Sequence, residues 1–182
     1  MKRVEIETTL NDSRNWVLAT MARLSEADLR APLTKSESDP QSYWSALDHF
    51  AHLALVEQDF VAMIRRQLKG GTNPVGLLAD DGGTTRTREQ IMAIVNDHAE
   101  TFQRQHHEDS LSAIVALTGE ARAATLALLS ELSDDQLEET LVGAPWADGT
   151  IGGVLGTNAG HAAMHWRWVT EAGFVDSSAA AD

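Results

Sequence analysis

The chain has no cysteine. That excludes disulfides, thiolate zinc sites and a cysteine nucleophile, so any metal must be held by His, Asp or Glu. Positive charge is scarce: 14 Lys and Arg stand against 27 Asp and Glu, for a formal net charge of -13. Such a balance opposes a phosphate backbone and an anionic lipid surface, and the expectation is no nucleic acid and no membrane among the partners. Uninterrupted apolar runs fall far short of the roughly 20 residues that span a bilayer. Met1 to Leu10 alternates charged and apolar residues, without the apolar centre of a signal peptide, so a cytoplasmic protein is expected. Strand-like alternation of any length is missing, as is an internal repeat. The Gly-rich stretch 70–86 lacks the Lys and Ser/Thr that complete a phosphate-binding loop.

What is present suits one helical domain. With 182 residues, 43% hydrophobic and 23% charged, the chain can bury a core without a metal or disulfide to hold it together. Ile6, Leu10, Val17, Leu18, Met21 and Leu24 keep three-to-four spacing and predict a helix over 5–24. Ser25 to Leu29 reads as a capping turn, Pro32 stops any continuation, and 34–41 is a polar loop. A long helix is expected from about Tyr43 to Leu68, ending at Lys69, Gly70 and Gly71, with Ser42 or a residue just after it as cap. In the following loop, Val75, Leu77 and Leu78 can pack down as a flap. Helical patterns then cover about Arg88 to Gln105 and Ser110 to Leu132, as one bent helix or two. Thr150 caps a last helix that Gly173 ends. The domain is expected over 1–175, with 176–182 a disordered polar tail.

The last helix carries the main candidate chemistry. His161 and His165 lie one turn apart and about 40° apart around the axis, so both imidazoles point the same way. Two neutral imidazoles so placed can grip one divalent ion, or can simply be a polar pair in a bundle core; a third ligand decides. His52 centres a stripe on the long helix that also holds Ser45, Asp48, Val56, Asp59 and Met63, which is polar for a plain core. His49, about 60° round from it, competes for the same role. Three imidazoles from two helices make an open tripod of the kind catalytic zinc sites use. Asp48 and Asp59 are candidates to orient an imidazole N–H or to move a proton, or are ordinary rim carboxylates. Asn158 and Trp168 are placed to line a pocket. His98, His106 and His107 are read as having no ligand role. A di-iron carboxylate bundle needs Glu three residues before each ligating His, and no histidine here has one.

Trp44 and Ser45, followed by His52 and Leu53, together with the closing run from Gly149 and Thr150 through Leu155 to His161 and His165, resemble the DinB/YfiT-like superfamily. The segments 24–33 and 122–137 are similar to it as well. The resemblance implies an all-α, four-helix bundle with an up-up-down-down-like connection, here with an extra or bent helix in the middle of the chain. It implies a three-histidine metal site made by His52, His161 and His165, which decides against His49, with zinc or nickel as the ion. Relatives include bacillithiol and mycothiol S-transferases, a thiol-dependent maleylpyruvate isomerase and a metal-dependent hydrolase. The isomerase branch has Glu where this chain has His, which places it nearer the YfiT-like side. The expected activity is transfer of a low-molecular-weight thiol to a small electrophile, or metal-assisted hydrolysis of a small-molecule substrate. The alternatives are a non-catalytic metal-binding bundle serving stress response, sensing or dimerisation, and a plain bundle with structural histidines. Trp146 or Trp166, if exposed, offers a homodimer interface.

Overall fold

Ser and Thr set where the helices begin. The computed structural model describes residues 2–80 and 82–172, and among them six of seven helices start from a Ser or Thr whose side chain accepts a backbone N–H of the first turn. The elements are α1 (Arg3–Met21), α2 (Glu26–Arg30), β1 (Thr34–Lys35), β2 (Tyr43–Trp44), α3 (Ala46–Leu68), α4 (Arg88–His106), α5 (Leu111–Glu131), α6 (Asp134–Glu138) and α7 (Ile151–Glu171). The expected all-α bundle is what forms. α1, α3, α5 and α7 are its four long helices, and α4 is the extra one, packed against α3.

Several boundaries differ from the sequence expectation for local reasons. The long helix begins at Ala46, because Tyr43 and Trp44 are extended and pair antiparallel with Lys35 and Thr34. Ser45 then closes a capping box: its Oγ accepts from Asp48 N at 3.2 Å while Asp48 Oδ2 accepts from Ser45 N at 2.7 Å. The middle of the chain is two helices, since α4 stops at His106 and Ser110 caps α5 afresh. The flap forms around Val75, which is buried, with Leu77 partly buried beside it and Leu78 left exposed. Arg86 Nη1 ties it down through the carbonyls of Gly76, Leu77 and Ala79. Gly173 as a helix stop and the tail 176–182 lie outside the described residues.

Cross-helix contacts give the directions. Ser13 bonds Ala159 O and Trp16 meets Trp166, so α1 and α7 run in parallel. Glu57 pairs with Arg122 and Arg65 with Glu131, so α3 and α5 do too. His49 meets His165 whereas Phe60 meets Trp146, just before α7, so α3 and α7 are antiparallel. In chain order the bundle therefore runs up, down, down, up. This replaces the up-up-down-down order that the resemblance implied. The long crossover through the flap and α4 is what allows α3 and α5 to be parallel neighbours.

Two apolar clusters fill the bundle. One gathers Ile6, Leu10, Phe60, Ile64, Leu128 and Val154, and the other Val17, Leu47, Phe50, Ala51, Ile114 and Ala162. Polar groups are buried alongside them. Arg122 Nε and Nη2 bond the Glu57 carboxylate at 2.7–3.1 Å, Nη1 reaches Leu10 O, and Thr125 Oγ1 donates to Glu57 at 2.8 Å. Burying an ion pair is tolerable only when the remaining donors and acceptors are filled in this way. α5 has a mean hydropathy of 1.3, enough with its length to cross a membrane on composition alone. Its many alanines raise that average without making a long apolar run, which is why the runs themselves gave no such signal.

Candidate metal centre

His52 from the middle of α3 and His161 and His165 from α7 face one another across the antiparallel helix pair. Each offers one ring nitrogen, and the three nitrogens lie within 4.8 Å of one another. His161 Nε2 and His165 Nε2 are 2.9 Å apart. His52 Nδ1 is buried with no hydrogen-bond partner among the described residues. Burial lowers the pKa of His52 to about 3 and of His161 to about 4, and pushes His165 lower still, where the neighbouring histidines add to the effect. Three neutral imidazoles whose ring nitrogens converge form a donor set that can hold a divalent cation. A buried nitrogen without a partner is costly in a plain core, which further fits a cation.

Aromatic rings hold the trio in place. Trp44 lies 5.3 Å from the ring centroids of both His49 and His52, and Trp168 lies 4.7 Å from that of His165. Trp44 is itself fixed by Glu100 of α4, whose Oε2 accepts from Trp44 Nε1 at 3.0 Å and from Ser36 Oγ at 2.7 Å. His49 touches the site from outside, with its Nδ1 2.8 Å from His165 Nδ1.

The two carboxylates of the α3 stripe part company. Asp48 is buried, and its oxygens are taken by the Ser45 cap, by Gln103 Nε2 at 3.0 Å and by His107 Nδ1 at 3.0 Å. It therefore serves the start of α3 and the seating of α4, and none of the three converging histidines. Asp59 lines a cleft beside the trio, 3.4 Å from His98 Nε2, and burial holds its carboxyl above the usual range. The cleft measures about 750 Å³ and is bounded by α3, α4, α7 and the flap. Leu55, Phe60, Met63, Val95, Trp146 and Met164 are among its apolar lining, and His52 and His161 open onto it. Trp146 thus faces the cleft, packed on Phe60 at 4.9 Å, and Trp166 stands edge-on to Trp16 at 6.3 Å. His106 bonds Asp109 at 2.8 Å and His107 bonds Asp48, so both tie down the α4–α5 junction. Asn158 is buried with both amide atoms lacking a hydrogen-bond partner among the described residues, and does not line the large cleft.

Sequence periodicity missed Glu100, Glu57 and Arg122. Each is a charged residue within a long helix, and nothing in a helix pattern tells a buried ion from a solvated one. The short motif Trp44-Ser45 carried an indirect signal for Glu100, because a buried indole N–H needs an acceptor.

No curated protein matches the chain. Two solved structures share its fold. The colibactin self-resistance protein ClbS, in complex with a dsDNA, superimposes with a TM-score of 0.65 over 93% of this chain and 92% of its own at 16% identity. An uncharacterised protein from Escherichia coli UTI89 gives 0.60 over 96% of each chain at 17% identity. ClbS corrects one expectation: a protein of this fold holds duplex DNA, so the exclusion of nucleic acid from net charge does not stand. Net charge is a sum over the whole surface and says little about any one face. The sequence profile of the DinB superfamily matches residues 37–169, from before the Trp-Ser cap to the last turns of α7, and the chain belongs to that superfamily.

Proposed function

We propose that this protein is a cytoplasmic, divalent-metal-dependent enzyme with His52, His161 and His165 as ligands to zinc or nickel. It acts on a small, largely apolar electrophile, adding a low-molecular-weight thiol to it or hydrolysing it, and residues 1–175 form the one domain that does so. The observation that carries this reading is the cleft of about 750 Å³ that opens onto His52 and His161. A volume of that size suits a small molecule, and mostly apolar walls with a few polar groups are the usual design of such sites.

A divalent ion held by three neutral imidazoles keeps its full charge and acidifies a water or a thiol, supplying a nucleophile near neutral pH. The protein's own residues do the rest. Leu55, Phe60, Met63 and Trp146 hold the apolar body of the substrate and exclude water. His52 and His161 line the cleft, and the reacting group would sit beside them. Asp59, whose carboxyl burial holds above its usual range, faces His98 and holds or takes a proton within the same cleft. The cysteine-free chain leaves no internal thiolate to compete with an incoming thiol.

The test is a screen of the zinc- and nickel-loaded protein against low-molecular-weight thiols with electrophilic acceptors, and against hydrolysable esters and amides, beside the His52→Ala variant. Metal-dependent turnover that disappears in His52→Ala supports the enzyme. Stoichiometric metal with no turnover of any substrate would instead favour a metal-binding bundle used for sensing or stress response.

A further inference from the structure

His49 is 5% exposed and lies one turn before His52 on α3. It bridges two places. Its Nδ1 is 2.8 Å from His165 Nδ1, and its Nε2 is 2.6 Å from Thr34 Oγ1 on β1. The other nitrogen of His165, Nε2, is 2.9 Å from His161 Nε2. The four side chains therefore form one row: Thr34, His49, His165, His161.

A neutral imidazole carries one proton, and the contact between His49 Nδ1 and His165 Nδ1 holds one. Two proton patterns satisfy that. In the first, His49 carries its proton on Nδ1 and His165 on Nε2, so both N–H groups point toward His161. In the second, His165 carries its proton on Nδ1 and His49 on Nε2, so both point toward Thr34. Only the second leaves the His165 Nε2 lone pair free on the side where His52 and His161 converge. Ligating histidines are generally held this way, with the far ring N–H donated to a fixed acceptor.

We propose that His49 is the positioning residue of this centre: its Nδ1 accepts the His165 Nδ1–H, its Nε2–H is donated to Thr34 Oγ1, and together these select the His165 tautomer that can bind a metal. The proposal rests on reading His52, His161 and His165 as the ligands. The two-residue ladder then has a structural role, because Thr34 pairs with Trp44. One short sheet thus supplies both the acceptor at the end of the row and the indole packed 5.3 Å from His49. Trp168 closes the other side, 6.5 Å from His49 and 4.7 Å from His165.

Two substitutions separate hydrogen bonding from packing. His49→Phe keeps an aromatic ring between the tryptophans and removes both nitrogens. His49→Asn restores an oxygen acceptor close to the place of Nδ1. The measurements are the zinc dissociation constant, by competition with a chromophoric chelator, and the solvent exchange of the His165 Nδ1 proton, by nitrogen-edited NMR of the zinc-loaded protein. Wild type should show a slowly exchanging proton on His165 Nδ1. His49→Phe should weaken zinc about 10–100-fold and lose that proton signal, and His49→Asn should recover most of the affinity. If His49→Phe does not fold, Thr34→Val carries the same test, with weaker zinc binding and faster exchange expected. Unchanged affinity and exchange in these variants, with zinc bound to wild type, would overturn the role of His49 alone. A wild type that takes up no zinc would overturn the three-histidine reading, and the role of His49 with it.

Discussion

Burial makes the central histidines reluctant to take a proton, and two consequences follow at the scale of the residue. His52 is pushed down to about 3, and His49 and His161 to about 4, each mainly by burial, from about 6.5 in an unfolded chain. As pH falls from about 6.5 toward about 4, the unfolded chain takes up protons that the folded one refuses, so stability drops through that window, and for His52 down to about 3. In urea titrations of the metal-free protein, a His52→Leu variant should therefore gain on the wild type between pH 7 and pH 5; a constant difference would contradict the burial argument. The second consequence concerns metal. Elemental analysis should find about one equivalent in the wild type and none in His161→Ala, since two remaining imidazoles hold an ion poorly. At this scale much was legible: helical spacing alone put His161 and His165 on one face and His52 in an inward stripe. The fate of Asp48 was not, because a residue three positions after Ser45 can serve the cap or the site, and only the built first turn of α3 shows its oxygens committed to Ser45, Gln103 and His107.

The elements are held by a few polar anchors whose removal should be felt more than their number suggests. Arg122→Met would leave the Glu57 carboxylate buried with Thr125 as its remaining side-chain partner. Breaking one side of such a pair costs about 3–5 kcal/mol, and a Glu57→Gln, Arg122→Met double variant should cost less than the sum of the two single changes. Denaturant midpoints of the four proteins give that comparison. Gly152, in the first turn of α7, illustrates a steric limit: an added Cβ would lie 3.1 Å from Leu137 O and 3.4 Å from Leu137 Cβ, so Gly152→Ala should push the backbone of α6 back slightly and lower the melting temperature. The caps at Ser25 and Thr150 were legible because an N-cap is a local matter of one hydroxyl and one backbone N–H, whereas the start of α3 was set too early, at Tyr43, and α6 was not foreseen. The pairing of Tyr43 and Trp44 with Thr34 and Lys35 was not, because a ladder of two residues has no period to detect.

For the whole molecule, a ligand that binds only the folded chain must stabilise it. Zinc at about 100 times its dissociation constant adds about 2.7 kcal/mol, which for a chain of this size raises the melting temperature by about 5–10 °C. Chelator should reverse the shift in wild type and do nothing to His161→Ala; equal shifts in both would place the bound ion elsewhere. The whole is also where charge misled. The excess of 27 acidic over 14 basic residues was read as excluding nucleic acid, whereas ClbS holds duplex DNA on the same fold. The sequence by itself determined the helical class, the caps at Ser25 and Thr150 and the inward faces that carry histidine, because periodicity, capping and turn chemistry act over a few neighbouring residues. Tertiary structure alone decided which of the seven histidines meet, which acids are buried, and that a crossover through α4 leaves a cleft beside His52 and His161. Those depend on contacts between residues far apart in the chain, such as His52 with His161 and Glu57 with Arg122, and no local pattern encodes which helix faces which.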